Sequence, residues 1–222
     1  MATGGRLCFN RSRVQRYPQR LGRQMYVKAQ SCAQSAAAHA RHVESSASVA
    51  EARAMKTLKP VRIAKIALVA LIGLYVLLIG YNNIVDYGSN FEFVRHVLLM
   101  DTTFPGNALR SRAIESADLH RYVYALIIAI ELICGAACLI GAFRLAARFA
   151  AAAADFDRAR GWAVAGLTIG FVLYFFGFMT VGAEWFLMWQ SHQWNGQQAA
   201  FRVIVCIALV LLFVCQPTPE ES

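Results

Sequence analysis

Four stretches of this chain are apolar on every side, and that decides the solvent into which it can fold. They run from Val61 to Asn82, Leu119 to Phe143, Gly161 to Leu187 and Ala199 to Gln216. A helix rises about 1.5 Å per residue, so about 20 apolar residues cross the hydrocarbon of a bilayer. A soluble bundle would alternate polar and apolar faces, and runs such as IALVALIGLYVLLIG and VIVCIALVLLFV carry no polar face. The same continuity excludes the alternating strands of a membrane barrel. The chain is 58% hydrophobic and only 16% charged, which suits a membrane solvent better than water. The expected fold is all-α and polytopic: four transmembrane helices in a bundle, with both termini cytoplasmic.

The formal charge of +9 is unevenly spread. Residues 1–54 hold nine Lys or Arg (Arg6, Arg11, Arg13, Arg16, Arg20, Arg23, Lys28, Arg41 and Arg53) against Glu44 and Glu51, so the rest of the chain is nearly neutral. This basic leader lacks the apolar run of a secretory signal and is expected to be disordered or loosely helical. Its composition also resembles an organellar transit peptide. The plainer expectation is a misplaced start, because Met55 opens MKTLKPVRIAK, a short basic lead into the first span. Residues 55–217 then form the transmembrane domain and 218–222 a tail. No folded nucleic-acid motif accompanies the basic charge, so nucleic acid is not an expected partner.

Orientation follows from the flanking cations. Lys56, Lys59, Arg62 and Lys65 precede the first span, and Arg144, Arg148, Arg158 and Arg160 crowd the second loop. The first loop, Asn83 to Asp118, mixes both signs, and the third, Met188 to Gln198, has no Lys or Arg. The second loop and both termini are therefore expected in the cytoplasm, with the first and third loops outside.

Small residues mark where helices approach closely. Gly166 and Gly170 form a G-x-x-x-G in the third span, and α-helical phase carries Gly177, Thr180 and Glu184 onto the same face. Glu131, Cys134, Cys138 and Gly141 make a comparable stripe in the second span. Both stripes are expected to face protein, either one another or a partner.

Polar residues inside the spans are costly, so each needs a reason. Glu131 sits about 18 Å from the outer end of its helix. It is read first as a hydrogen-bonded packing residue and second as a protonatable group on a solute path. Glu184 lies near the outer boundary and Arg202 enters the fourth span at similar depth, so an ion pair between them is expected. Trp185, Trp189 and Trp194 suit the membrane interface. The amides beside them, Gln190, Asn195 and Gln197, exceed what an interface needs and fit a small polar pocket or a docking surface.

Other chemistry finds little support. Cys134, Cys138, Cys206 and Cys215 lie in spans as soft packing residues, and Cys8 and Cys32 fall in the leader. No spacing suggests zinc or an iron–sulfur cluster, none of the five histidines lies inside a span beyond His120 at the mouth of the second, and no cofactor is called for. Phosphate-binding, nucleophile-elbow and metalloprotease motifs are missing from the sequence.

Two segments between and within the spans are distinctive: HVLLMDTTFPGNAL, His96 to Leu109, and GFMTVGAEWFLMWQSHQWNGQ, Gly177 to Gln197. With four spans around them they resemble a bacterial family of predicted small integral membrane proteins of unknown function. The resemblance covers about Pro60 to Pro217. It implies a multi-pass protein of the bacterial inner membrane and brings no activity, cofactor or site residue.

The expected function is a non-enzymatic accessory or interaction subunit. It would lie in the lipid bilayer beside a membrane-protein partner or further copies of itself. The alternative is a proton or small-solute permeation element, using Glu131 and the outer polar cluster. Four spans are few for a transporter that does not oligomerise.

Overall fold

The computed structural model describes residues 16–219, with side chains described for residues 35, 38–43, 45, 46 and 60–219. Most of the basic leader residues, the flanking cations Lys56 and Lys59, and Cys8 and Cys32 lie outside the described side chains. The chain divides into two compact units between Ala54 and Met55. In the first unit the described backbone is helical from Arg16 onward.

In the second unit four helices are long and apolar enough to cross a membrane: Pro60–Val85, Ala117–Ala147, Gly161–Trp185 and Gln197–Cys215. We label the helices α1 (Arg16–Val85), α2 (Tyr87–Leu99), α3 (Ala117–Ala147), α4 (Ala153–Arg158), α5 (Gly161–Val172) and α6 (Gln197–Cys215). Among the described residues there is no strand. The start of α3 follows from its sequence: the Ser116 hydroxyl accepts the Leu119 amide at 3.4 Å, Asp118 sits in the first turn and Arg144 in the last.

The bundle is organised on α3, which uses both of its small-residue faces. On one, Gly73 and Gly135 bring α1 close: a Cβ at Gly135 would lie 2.9 Å from the Gly73 carbonyl oxygen. On the other, the expected stripe Glu131, Cys134, Cys138 and Gly141 is buried; Cys134 and Cys138 meet Gly166 and Gly170 of α5, and Gly141 meets Ala163. A Cβ at Gly166 would stand 2.7 Å from the Cys138 amide nitrogen, and the Cys134 thiol donates to the Gly166 carbonyl at 3.2 Å. The two stripes thus face one another. Val69, Val76, Leu167, Ile207 and Val214 fill the space among the four helices.

Beyond Val172 the third span changes its winding. Leu173–Trp185 is a π-helix, closed by the Phe186 amide donating to Val181 O at 3.0 Å. Its i→i+5 bonds put more residues into each turn, so α-helical phase no longer applies. This corrects two expectations. Gly177 is not a packing glycine: a Cβ there would meet only Leu173 Cδ1, at 3.7 Å. Thr180 and Glu184 rotate off the Gly166 and Gly170 face and are exposed.

The first connection, read from sequence as a loop, contains α2. Its buried residues Val94, Val97 and Leu98 join Tyr124, Ile128, Ala183, Phe186, Leu187 and Met188 in a second apolar cluster. Met100 ends α2 with φ 51°, and Gly106 at φ 76° makes the following turn without the clash a side chain would bring.

Candidate functional site

The two distinctive sequence segments fold against each other into one cap over the bundle. The His96 ring stacks on Trp194 with centroids 4.6 Å apart and planes 11° from parallel. Thr102 Oγ1 donates to Ser191 Oγ at 2.9 Å, and Ser191 Oγ in turn accepts the Trp194 amide at 2.8 Å. Gln190 Oε1 accepts the Phe104 amide at 3.0 Å, while Phe104 meets Trp189 edge to face at 5.8 Å. At the far edge the Arg112 guanidinium lies 4.4 Å from the Trp185 ring centroid and donates to the Trp185 carbonyl at 3.2 Å.

This accounts for two of the surplus amides. Gln190 fastens the first loop, and Asn195 Oδ1 accepts the Gln197 amide at 3.1 Å, a local turn that leads into α6. Trp185 and Trp189 remain exposed, as suits residues at a membrane interface, whereas Trp194 is half-buried in the cap.

Beneath the cap lies Glu131, only 2% exposed. Asn83 Nδ2 donates to Glu131 Oε2 at 2.7 Å and the Tyr174 hydroxyl donates to Oε1 at 3.2 Å. Asn83 is itself held, because its Oδ1 accepts Asn90 Nδ2 at 2.6 Å and its carbonyl accepts the Tyr124 hydroxyl at 3.1 Å. Residues of α1, α2, α3 and the π-helix therefore converge on one carboxyl group. Each carboxyl oxygen has accepted one hydrogen bond and has capacity for another.

The cluster floors a cavity of about 420 Å³. Asn83, Tyr124, Glu131 and Tyr174 form its buried end, and the exposed residues Asn90, Gln193, Asn195 and Arg202 its mouth. A second cavity of about 580 Å³ is almost wholly apolar and lies against the π-helix, where Gly177 forms part of its wall. Phe93, Val94, Ile127 and Phe178 line both cavities. The rings of Phe93 and Phe178 stack at 6.3 Å between centroids.

Arg202 thus belongs with Glu131 rather than with Glu184. No ion pair joins Glu184 to Arg202 among the described residues. The π-helix turns Glu184 away, and Arg202 is left at the cavity mouth without a hydrogen-bond or ion-pair partner among the described residues. Sequence reasoning missed Asn83, Asn90 and Tyr174. The available signal was that Tyr174 is the single phenol of the third span and a buried Glu131 needs donors.

The opposite end of the bundle carries a polar clamp that the sequence did not disclose. Lys65, 1% exposed, donates to Gln216 O at 2.6 Å and Thr218 Oγ1 at 3.1 Å, and lies 3.6 Å from Asp157 Oδ1. Thr218 donates to Asp157 through both its amide, at 2.8 Å, and its hydroxyl, at 2.7 Å. Burial pushes the Asp157 carboxyl up, but the two Thr218 hydrogen bonds and the charges of Lys65 and Arg160 outweigh it and hold the pKa below the ordinary carboxylate value. Arg160 Nη1 donates to the last carbonyls of α6, the nearest being Cys215 O at 3.1 Å. Arg62 donates to Phe149 O and Ala151 O at 2.6 and 2.7 Å, tying the second loop to α1.

No group of three or more potential metal-ligating side chains occurs among the described residues. Residues 61–217 match the model of a family described as predicted small integral membrane protein (DUF2165). No curated protein and no solved structure matches the chain.

Proposed function

The chain belongs to the DUF2165 family of predicted small integral membrane proteins, and from that premise we propose that it is a non-enzymatic binding protein of the bacterial inner membrane. Its ligand enters the polar cavity from the side of the first and third loops and is held between Glu131 and Arg202. One observation carries this reading: a carboxyl with unused acceptor capacity and a guanidinium without a partner among the described residues line the same cavity of about 420 Å³. A volume of that size is ordinary for a small-molecule site.

Binding is favoured over permeation because the bundle closes under Glu131. One turn further along α3 the Cys134 thiol donates to the Gly166 carbonyl at 3.2 Å, and glycine contacts draw α1, α3 and α5 together. The accessory-subunit reading gives way because the unexplained polar groups surround a concavity rather than a flat face. Loops one and three gather at one end, while Arg62, Lys65, Arg158 and Arg160 gather at the other, which supports a cytoplasmic placement of the second loop and both ends.

The test is native mass spectrometry of the full chain after mild extraction. Wild type should retain a small-molecule adduct that Glu131→Leu and Arg202→Leu lose. Wild type without an adduct, together with solute or proton flux through reconstituted liposomes, would overturn the proposal.

A further inference from the structure

We infer that the ligand is an amphiphile, with a head that pairs a hydrogen-bond donor with an anionic group in the polar cavity and a hydrocarbon chain in the apolar one. The inference rests on the binding reading above and specifies its ligand. The head follows from complementarity. Glu131 can accept further hydrogen bonds at the floor, which asks for a donor such as an ammonium or hydroxyl. Arg202 offers a guanidinium at the mouth without a partner among the described residues, which asks for a phosphate or carboxylate. A zwitterionic phospholipid head satisfies both.

The chain follows from the second cavity. Its wall is almost free of polar atoms, it holds about 580 Å³, and Phe93, Val94, Ile127 and Phe178 are common to both cavities. A water-soluble solute of the polar cavity would have no use for that space, whereas a lipid tail would fill it with apolar contact. Gly177 is what keeps the space open. Its wall is bare where a larger side chain would project, and a Cβ there meets nothing closer than 3.7 Å.

The probes are palmitoyl lysophosphatidylethanolamine and its tail-free counterpart, glycerophosphoethanolamine, titrated onto the full chain in amphipol with Kd read by native mass spectrometry. The lysolipid should bind wild type, and the tail-free probe should bind at least about tenfold more weakly. Gly177→Leu and Val181→Phe, which both fill the apolar cavity, should each weaken the lysolipid by about tenfold while leaving the thermal midpoint within a few degrees of wild type. Glu131→Gln and Arg202→Gln should weaken it as well. If the filled variants bind as well as wild type, or the two probes bind equally, while the polar substitutions still abolish binding, the tail assignment fails and the polar site stands. Lysolipid binding indifferent to Glu131→Gln and Arg202→Gln overturns both readings. Failure of the lysolipid to bind folded wild type overturns the amphiphile assignment alone.

Discussion

Asn83 concentrates more of this architecture than any other side chain. It stands where an apolar run ends, beside Asn82, and reads in the sequence as the polar edge of a span. In the fold it is 5% exposed and joins α1 to two further elements: its side chain donates to Glu131 on α3 and accepts from Asn90 on α2, and its backbone carbonyl accepts from Tyr124, also on α3. Asn83→Leu should therefore cost about 1–3 kcal/mol, since it removes two side-chain hydrogen bonds and leaves both Glu131 and Asn90 short of a partner. Tyr174→Phe, which removes one bond at 3.2 Å, should cost about 0.5–1.5 kcal/mol. Denaturation of the detergent-solubilised protein followed by circular dichroism measures both, and equal losses would contradict the central role given to Asn83. Glu131 was legible as a buried acid because a carboxyl in the middle of an apolar run is tolerated only where protein shields it from lipid. Its partners were not, because an amide at a span boundary looks the same whether it faces water or a carboxyl group.

Among the elements, the spans were the most legible feature. The structure begins and ends them within a few residues of the sequence expectation, since hydrocarbon thickness dictates length whatever the packing. The facing stripes of α3 and α5 were legible for a similar reason: small residues at helical spacing permit an approach that larger ones forbid. The π-helix was not, because its apolar composition fits either winding and nothing in the residues announces an i→i+5 pattern. That is why the phase argument failed for Gly177 and Glu184 while holding for Gly166 and Gly170. These glycines should separate in experiment. Gly166→Ala places a methyl 2.7 Å from the Cys138 amide nitrogen and must push two helices apart, at a cost of about 1–3 kcal/mol. Gly177→Ala meets open space and should change stability by less than about 0.5 kcal/mol. Comparable losses in the two variants, measured by the same unfolding assay, would show that the third span is wound as an α-helix throughout.

At the scale of the whole molecule, the two ends of the bundle are closed by different means. The cap end is fastened by rings and amides, and the other by the Lys65, Asp157 and Thr218 clamp. The clamp is where titration enters. The Asp157 pKa is lower folded than unfolded, so its contribution is fully present above the ordinary carboxylate value of about 3.9 and is lost as pH falls through the lower folded value. Acidification through that window should release the segment after α6, seen as faster carboxypeptidase trimming when the protein is returned to neutral pH in short pulses. Asp157→Asn should already be trimmed quickly at neutral pH and show no further acid response. Trimming of wild type that stays constant through the window would remove Asp157 from the clamp. The clamp was hidden from sequence because its members are 61 to 153 residues apart along the chain.

The union of the two cap segments also sets an order of events during synthesis. His96, Thr102 and Phe104 emerge long before Trp194, Ser191 and Trp189, which must be made and folded with the last hairpin before they can be met. Until then the first loop has nothing to close against. Completion of the cap is thus a late event in biogenesis. A chain arrested after its third span would carry the floor of the cavity, Asn83, Glu131 and Tyr174, but neither its lid nor Arg202.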